Sequence, residues 1–399
     1  MTLSSKRELI QAIRKVYRKS TKAQKSAHLD HLELATGLKR NYLNRLLLLG
    51  YKAKRRKPGR KSRYASDPEF MEALKRIWVA TRYLSGKLLK RSIKFYTTTY
   101  EMHCGVLAAD VSEKLRRISP ATIDRILLPT KRQLGKGKST TSSDPHFRDM
   151  ITISLAQWEQ REPGHLEGDL VAHCGNTTAG VYVNTLTVTD IATGWVENRA
   201  IWGKTAEAVI EALRDIKASL PFPLKSLDFD NGSEFLNKPV LRYCQKEGIA
   251  LTRSRPYKKN DNAHVEQKNW MTARDALGFR RMENPDIVPV ANDMYKNDYR
   301  LFKNYFTPCF KLKEKVKVGS RYKRIYDEPK TPLERVLESE YIPEEEKQKL
   351  KEHLASLDPF QLSKNIDRKI LRIKAMAKVS FEEWQLLPDS QKLLTFLYQ

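Results

Sequence analysis

The sequence predicts an α/β chain: a mixed-sheet core, preceded by all-α helix-turn-helix modules and followed by a small β-rich unit and a helical tail. Three observations predict it. Apolar residues recur at helical spacing through the first third of the chain. Strand-like and helical runs then alternate from about residue 150. A lysine-studded alternating stretch, 306–337, follows before the pattern turns helical again. With 399 residues the chain is long enough for two or three domains with cores of their own.

The formal net charge of +27 points to polyanionic partners, and its distribution sharpens that. Residues 1–63 hold 19 Lys/Arg against 3 Asp/Glu, so more than half of the excess sits in the N-terminal sixth of the chain. No apolar run approaches the roughly 18–20 residues that span a bilayer. The N-terminus "MTLSSKRELIQAIRK" reads as a charged amphipathic helix and not as a signal peptide. Cys104, Cys174, Cys244 and Cys309 are scattered without a CxxC pair, which predicts reduced thiols, no membrane association and a cytoplasmic chain.

The elements follow in order. Leu9, Ile10, Ile13 and Val16 mark a first helix, 22–35 a second, and "ATGLKRNYLNRLLLLG" supplies a turn at Gly37 and a third helix over 39–49. That is a helix-turn-helix layout, with Lys39, Arg40, Asn41 and Arg45 as candidate DNA contacts. The stretch "YKAKRRKPGRKSRYASDP" has eight basic residues among 52–63 and cannot build a core; it reads as an arm lying along phosphates, with Arg55, Arg56, Arg60 and Lys61 as candidate contacts. Residues 68–128 are helical again and end in "VSEKLRRISPATIDRILLP", where Ser119 is a good N-cap and Pro120 a good first helical residue. "PTKRQLGKGKSTTSSDP" then reads as a linker.

"GHLEGDLVAHC", "GVYVNTLTVTD" and "WVENRAIWG" read as a three-strand meander with a turn at 190–194. Residues 205–220 follow as an amphipathic helix, "LKSLDFDNG" as a short strand, "NKPVLRYCQKEGI" as a helix, "ALTRS" as a strand and 262–278 as a helix. The order β-β-β-α-β-α-β-α describes a ribonuclease-H-like domain, whose parallel strands need helical crossovers. Such a sheet sets its first and fourth strands side by side. Asp169 on the first strand and Asp230 at the end of the fourth would then face one cleft, and the last helix would bring Glu266 across it. Hard divalent cations take oxygen ligands of this kind, and two such ions about 4 Å apart can bracket a phosphoryl transfer. Glu167, Asp228, Asp190 and Glu234 are rival carboxylates of lesser rank.

"GDLV", "VTDIATGW", "FDNGSEF" and "PYKKNDNAHVEQKNW" together resemble the catalytic core of the retroviral-integrase-type DDE transposases of bacterial insertion sequences, over about residues 150–285. The 35 residues between Asp230 and Glu266 match the family's spacing. The resemblance implies two Mg²⁺ (or Mn²⁺) ions held by Asp169, Asp230 and Glu266, nicking at transposon ends, and attack of the freed 3′-hydroxyl on target DNA. It also implies double-stranded DNA as partner and a homo-oligomer assembled on it. Lys268 and Arg274 follow Glu266 as candidate phosphate contacts; the family's basic residue seven positions after the Glu is here Ala273, with Arg274 next. His28 and His31 have the spacing of the integrase N-terminal zinc pair, but no CxxC follows, so they read as helix-surface residues.

The expected organisation is a helix-turn-helix module at 1–50, a basic arm at 51–67, a second helical DNA-binding module at 68–128, a linker at 129–149, the catalytic core at 150–285, a basic β-rich unit at 286–340 and a helical tail at 341–399. The tail reads equally as a solvated helix or as one that pairs with another protomer. Two other functions fit the residues alone: a DNA-binding regulator with an inert ribonuclease-H-like domain, and a structure-selective nuclease without a joining step.

Overall fold

The computed structural model describes residues 2–50, 64, 67–133, 162–229, 235, 237–253, 273–278, 280–318 and 321–378. The chain divides into two compact units, residues 1–63 and 64–399.

Unit 1 is a three-helix bundle of α1 (Leu3–Tyr17), α2 (Lys22–Thr36) and α3 (Arg40–Leu49), closed over Ile10, Tyr17, Leu29, Leu32, Leu43, Leu46 and Leu47. Thr21 and Gln24 form a capping box at the start of α2, which satisfies amide groups that have no intrahelical partner. Gly37 ends α2 in the left-handed region at φ 66°, a conformation that costs glycine little, and Leu38 and Lys39 complete a three-residue turn into α3. The terminal carbonyls of α2 and α3 are covered by cations from α1. Lys6 donates to the Thr36 carbonyl, Arg14 Nε to that of Leu47 at 3.1 Å and Arg18 Nη2 to that of Leu48 at 2.8 Å. Positive charge at a helix C-terminus complements its dipole, so part of the N-terminal basicity holds this bundle together.

Unit 2 begins with five helices: α4 (Pro68–Ala80), α5 (Gly86–Thr97), α6 (Tyr100–Cys104), α7 (Ala109–Arg117) and α8 (Pro120–Gln133). The hydroxyl of Ser119 accepts the Thr122 amide at 3.2 Å and Pro120 opens α8, as their residue types predict. The helix runs on past Leu128 and contains Pro129, so the expected linker begins later than residue 129.

A five-stranded sheet follows, built from β1 (His165–Ala172), β2 (Val183–Asp190), β3 (Val196–Trp202), β4 (Ser226–Phe229) and β5 (Ala250–Arg253) in the order β3-β2-β1-β4-β5. β1, β2 and β3 form the antiparallel meander; β1, β4 and β5 are parallel, joined through α9 (Ala206–Ser219) and α10 (Lys238–Lys246). This is the ribonuclease-H-like order, with β1 and β4 adjacent as expected. Asp190 serves the turn between β2 and β3: its carboxylate accepts the Gly164 amide at 2.8 Å and the amide and hydroxyl of Thr193, each at 2.7 Å. It is fully spent inside the fold.

After α11 (Asp275–Leu277) the structure departs from expectation. The β-rich unit foreseen for 286–340 is largely helical. α12 (Ile287–Met294) continues into two π-helical stretches, Tyr295–Tyr299 and Phe302–Phe306, and strands appear only in the hairpin of β6 (Leu312–Val318) and β7 (Arg321–Tyr326). The cause of the helix is apolar: Ile287, Ala291, Met294, Tyr295, Tyr299, Phe302 and Tyr305 are all buried, and their spacing is helical. α13 (Pro332–Glu338), α14 (Glu344–Ser356) and α15 (Pro359–Met376) follow.

α15 is neither a solvated tail nor a helix left open for another protomer. Phe360, Ile366, Ile370, Ile373 and Met376 are buried in the same core as α4, α5 and the sheet. Tyr96 meets Phe360 edge-on at 5.1 Å, and Arg82 pairs with Asp367. The helices before the sheet and those after it therefore share one hydrophobic interior.

Candidate active site

β1 and β4, the strands that carry or precede two of the predicted carboxylates, pair side by side. In their parallel ladder Glu167 stands opposite Asp228 and Gly168 opposite Phe229. Asp169 comes next on β1, half-exposed, with Oδ1 accepting the Leu170 amide at 2.8 Å. Asp230 comes next after Phe229 in sequence and lies outside the described residues, as do Glu234, Glu266 and Lys268. Side chains alternate along a strand, so Glu167 and Asp169 share one face of the sheet. Glu167 and Asp228 are buried, at 0% and 5% exposure, which separates them from half-exposed Asp169 as groups able to meet a substrate.

The residue types around these positions explain their placement. Phe229 and Phe235, which bracket the segment carrying Asp230, stack face to face with ring centroids 4.0 Å apart and planes within 6°. Gly168 makes room for them: a Cβ built there would overlap the Phe229 ring. A glycine directly before Asp169 is thus required by an aromatic directly before Asp230. The "FDNGSEF" stretch carried this signal in its two phenylalanines, which the carboxylate reading passed over.

Beyond Asp169, the end of β1 is tied to the segment near residue 280. The Met282 amide donates to the His173 carbonyl at 3.1 Å, and the Val183 amide to that of Met282 at 2.9 Å. Arg281 Nη1 donates to the carbonyls of Thr177 at 2.6 Å and Cys174 at 3.1 Å, and its guanidinium lies 5.3 Å from the Tyr182 ring centroid. Arginine carries five donors in a fixed fork, so one side chain can fasten the whole β1–β2 loop. His173 is fully buried, with Nε2 2.8 Å from the Thr185 hydroxyl. Burial, and secondly the positive charge of Arg274, push its pKa down to about 4, so it is neutral at pH 7.

Arg274 is half-buried beside His173 and Cys174, and burial lowers its own pKa. Ala273, in the position where the family has a basic residue, is fully buried. In unit 1, Lys39, Asn41 and Arg45 are exposed on or beside α3. Arg40 is held by Asp30 and by the Ser26 hydroxyl at 2.6 Å. His28 and His31 lie on α2, partly exposed and exposed, with the His28 ring 6.3 Å from that of Tyr17. Arg55, Arg56, Arg60 and Lys61 lie outside the described residues. Among the described residues, no three His, Cys, Asp or Glu side chains cluster as a metal site, and no helix is long and apolar enough to cross a membrane.

Comparison with known proteins places this geometry. The integrase core domain family matches residues 159–259. The uncharacterized protein y4rM of Sinorhizobium fredii is 34% identical over 340 residues, covering 84% of this chain and 96% of that protein. Among solved structures, the catalytic core domain of BIV integrase aligns over 45% of this chain and 96% of its own, at 20% identity and a TM-score of 0.28. A chain of the simian T-cell lymphotropic virus intasome in complex with PP2A regulatory subunit B56 gamma aligns over 46% of this chain at 18% identity and a TM-score of 0.26; this chain spans 58% of it. The chain belongs to the family of Sinorhizobium fredii y4rM, and it carries an integrase core domain.

Proposed function

We propose that the chain is a DNA transposase. It binds transposon ends, nicks them, and transfers the 3′ ends to target DNA by phosphoryl transfer. Asp169, Asp230 and Glu266 are the catalytic carboxylates, and they hold two Mg²⁺ (or Mn²⁺) ions. The observation that supports the reading is the β1–β4 register: Gly168 pairs with Phe229, and Asp169 and Asp230 are the residues that follow that pair in the sequence. The donor chemistry supports it too: Asp169 is half-exposed, and hard divalent cations take carboxylate oxygens. Bound there, such ions supply charge stabilisation for the attacking and leaving oxygens of an in-line displacement.

The rest of the chain serves DNA in this reading. Residues 1–50 recognise the end sequence, the arm at 51–67 lies along phosphates through Arg55, Arg56, Arg60 and Lys61, and the helices of 68–128 add a second binding module. The core at 150–285 cuts and joins, Lys268 and Arg274 lie near phosphate, and the chain works as a homo-oligomer on double-stranded DNA in the cytoplasm.

A transposition assay in cells tests it, with the gene on one plasmid and a marker flanked by the element's own ends on another. Wild-type protein moves the marker. Asp169→Asn, Asp230→Asn and Glu266→Gln each abolish movement while the protein accumulates normally. Unchanged movement with Glu266→Gln would sink the assignment. Metal-independent end binding with no cleavage under any condition would mark a regulator instead.

A further inference from the structure

The positive charge of unit 1 divides into cations spent on the fold and cations left for a partner, and the division falls across α3. Arg40 is spent: it pairs with Asp30, donates to Ser26 Oγ at 2.6 Å, and its own amide donates to Glu33 at 3.2 Å. Asn44 is spent as well, accepting the Tyr17 hydroxyl at 2.8 Å. The face of α3 next to them is uncovered. Asn41, Tyr42, Arg45 and Leu48 are exposed at i, i+1, i+4 and i+7, which makes one stripe along the helix. Within it the Arg45 guanidinium lies 5.2 Å from the Tyr42 ring centroid, so the ring steadies an arginine whose charge stays in solvent. Residues 1–50, which form this bundle, carry 11 Lys/Arg against 3 Asp/Glu.

We propose that this face of α3 reads base edges in the major groove of duplex DNA, with Arg45 on a guanine and Asn41 on an adenine, while Arg40 belongs to the fold. The inference rests on the transposase reading and names what that reading leaves open: which side chains set the end sequence. The chemistry is specific. Arginine matches the O6 and N7 acceptors of guanine, and an amide side chain matches the N7 and N6 pair of adenine. The turn at Gly37–Lys39 and the exposure of the first turns of α3 suit a second helix that presents its N-terminal residues to the groove. Four residues of helix span about 6 Å, and base pairs rise about 3.4 Å, so the guanine and the adenine lie within about two steps of each other. Leu48, one turn further on, suits a thymine methyl.

Selection from a pool of randomised duplexes by the full-length protein tests this, followed by affinity measurements on the selected duplex. The wild-type motif contains a guanine and an adenine within two steps. Arg45→Ala flattens the guanine position and weakens binding by roughly 10- to 100-fold, and Asn41→Ala does the same at the adenine. Lys39→Ala weakens all sequences alike. Arg40→Ala keeps the motif and lowers the melting temperature. An unchanged motif with Arg45→Ala, or loss of the guanine with Arg40→Ala at a temperature where the variant is folded, overturns the proposal. Tight binding by the wild type with no sequence preference overturns it and leaves the transposase reading standing. Failure to bind any duplex overturns both. Self-association abolished by Leu48→Ser, with DNA binding intact, assigns the face to a second copy of the chain and overturns the base-reading role.

Discussion

Gly168 and His173 show how much single residues next to Asp169 are constrained. Gly168 answers a steric demand from the Phe229–Phe235 stack. His173 answers a demand of burial: taking imidazole out of water disfavours its charged form, and Arg274 adds repulsion. The folded pKa of about 4 lies below the ordinary 6.5. The unfolded chain therefore gains a proton before the native one does, and stability falls as pH drops from about 6.5 to about 4. At 1.36 kcal/mol per pH unit this amounts to about 3 kcal/mol. Urea unfolding at intervals across that window checks it. Wild-type stability should fall toward pH 4, and His173→Gln should remove a slope of that size. Equal slopes in the two proteins would contradict the burial argument. The carboxylate reading came from the sequence, because acidic spacing is written there, and of its three residues only Asp169 lies among the described ones. These two neighbours were not legible there, because their roles come from what packs against them.

The edge of the sheet shows what elements add. β3 is an edge strand, and an open edge invites pairing with other chains. Here two side-chain amides close it. Asn304 accepts the Val196 amide at 2.9 Å and donates to its carbonyl at 2.8 Å; Asn292 does the same for Ala200, at 2.7 and 2.9 Å. Arg199 Nη1 covers the Asn198 carbonyl between them at 2.8 Å. In an α-helix the twelve residues from Asn292 to Asn304 would make about 3.3 turns and leave the two amides about 120° apart. The π-helical stretches Tyr295–Tyr299 and Phe302–Phe306 take more residues per turn and bring both onto the β3 side. Charges fasten the same region: buried Glu197 meets Arg199 and Arg300, each at 3.1 Å, and nearer the surface Asp215 of α9 pairs with both Lys296 and Arg199. Asn304→Leu leaves the amide and carbonyl of Val196 buried without partners and should cost about 2–3 kcal/mol in denaturant unfolding. A cost below 0.5 kcal/mol would show that the amide does not seal the edge. The meander and the crossovers were legible because periodicity and turn residues mark them. The helix over 287–306 was not foreseen, since polar Asn292, Asp298 and Asn304 interrupt its apolar residues and its winding over the π-helical stretches is not 3.6.

At the scale of the whole molecule, composition and topology point the same way but carry different parts of the account. The charge excess predicts a polyanionic partner, and the bundle shows that Lys6, Arg14, Arg18 and Arg40 work inside the fold. Net charge counts cations; only contacts tell which are available. The tail is helical as expected, but the packing of its last helix was not foreseen, for the converse reason. The region from 343 to 378 is charged on its surface, yet α15 hides a full apolar face that packs beneath α4 and α5. One interior joining the early helices, the sheet and the last helix makes unit 2 a single packed mount for the β1–β4 pair. The central claim, that this mount presents Asp169 and Asp230 together with Glu266 to metal and DNA, is tested most directly by a joining reaction. Purified full-length protein is incubated with labelled end duplex and supercoiled plasmid, in Mg²⁺, in Mn²⁺ and with chelator. The account predicts nicked ends and end-to-plasmid joints in either metal, none with chelator, and none with Asp169→Asn, Asp230→Asn or Glu266→Gln, while all three variants bind the duplex as wild type does. Joining that survives chelation, or that survives any of the three substitutions, would contradict it.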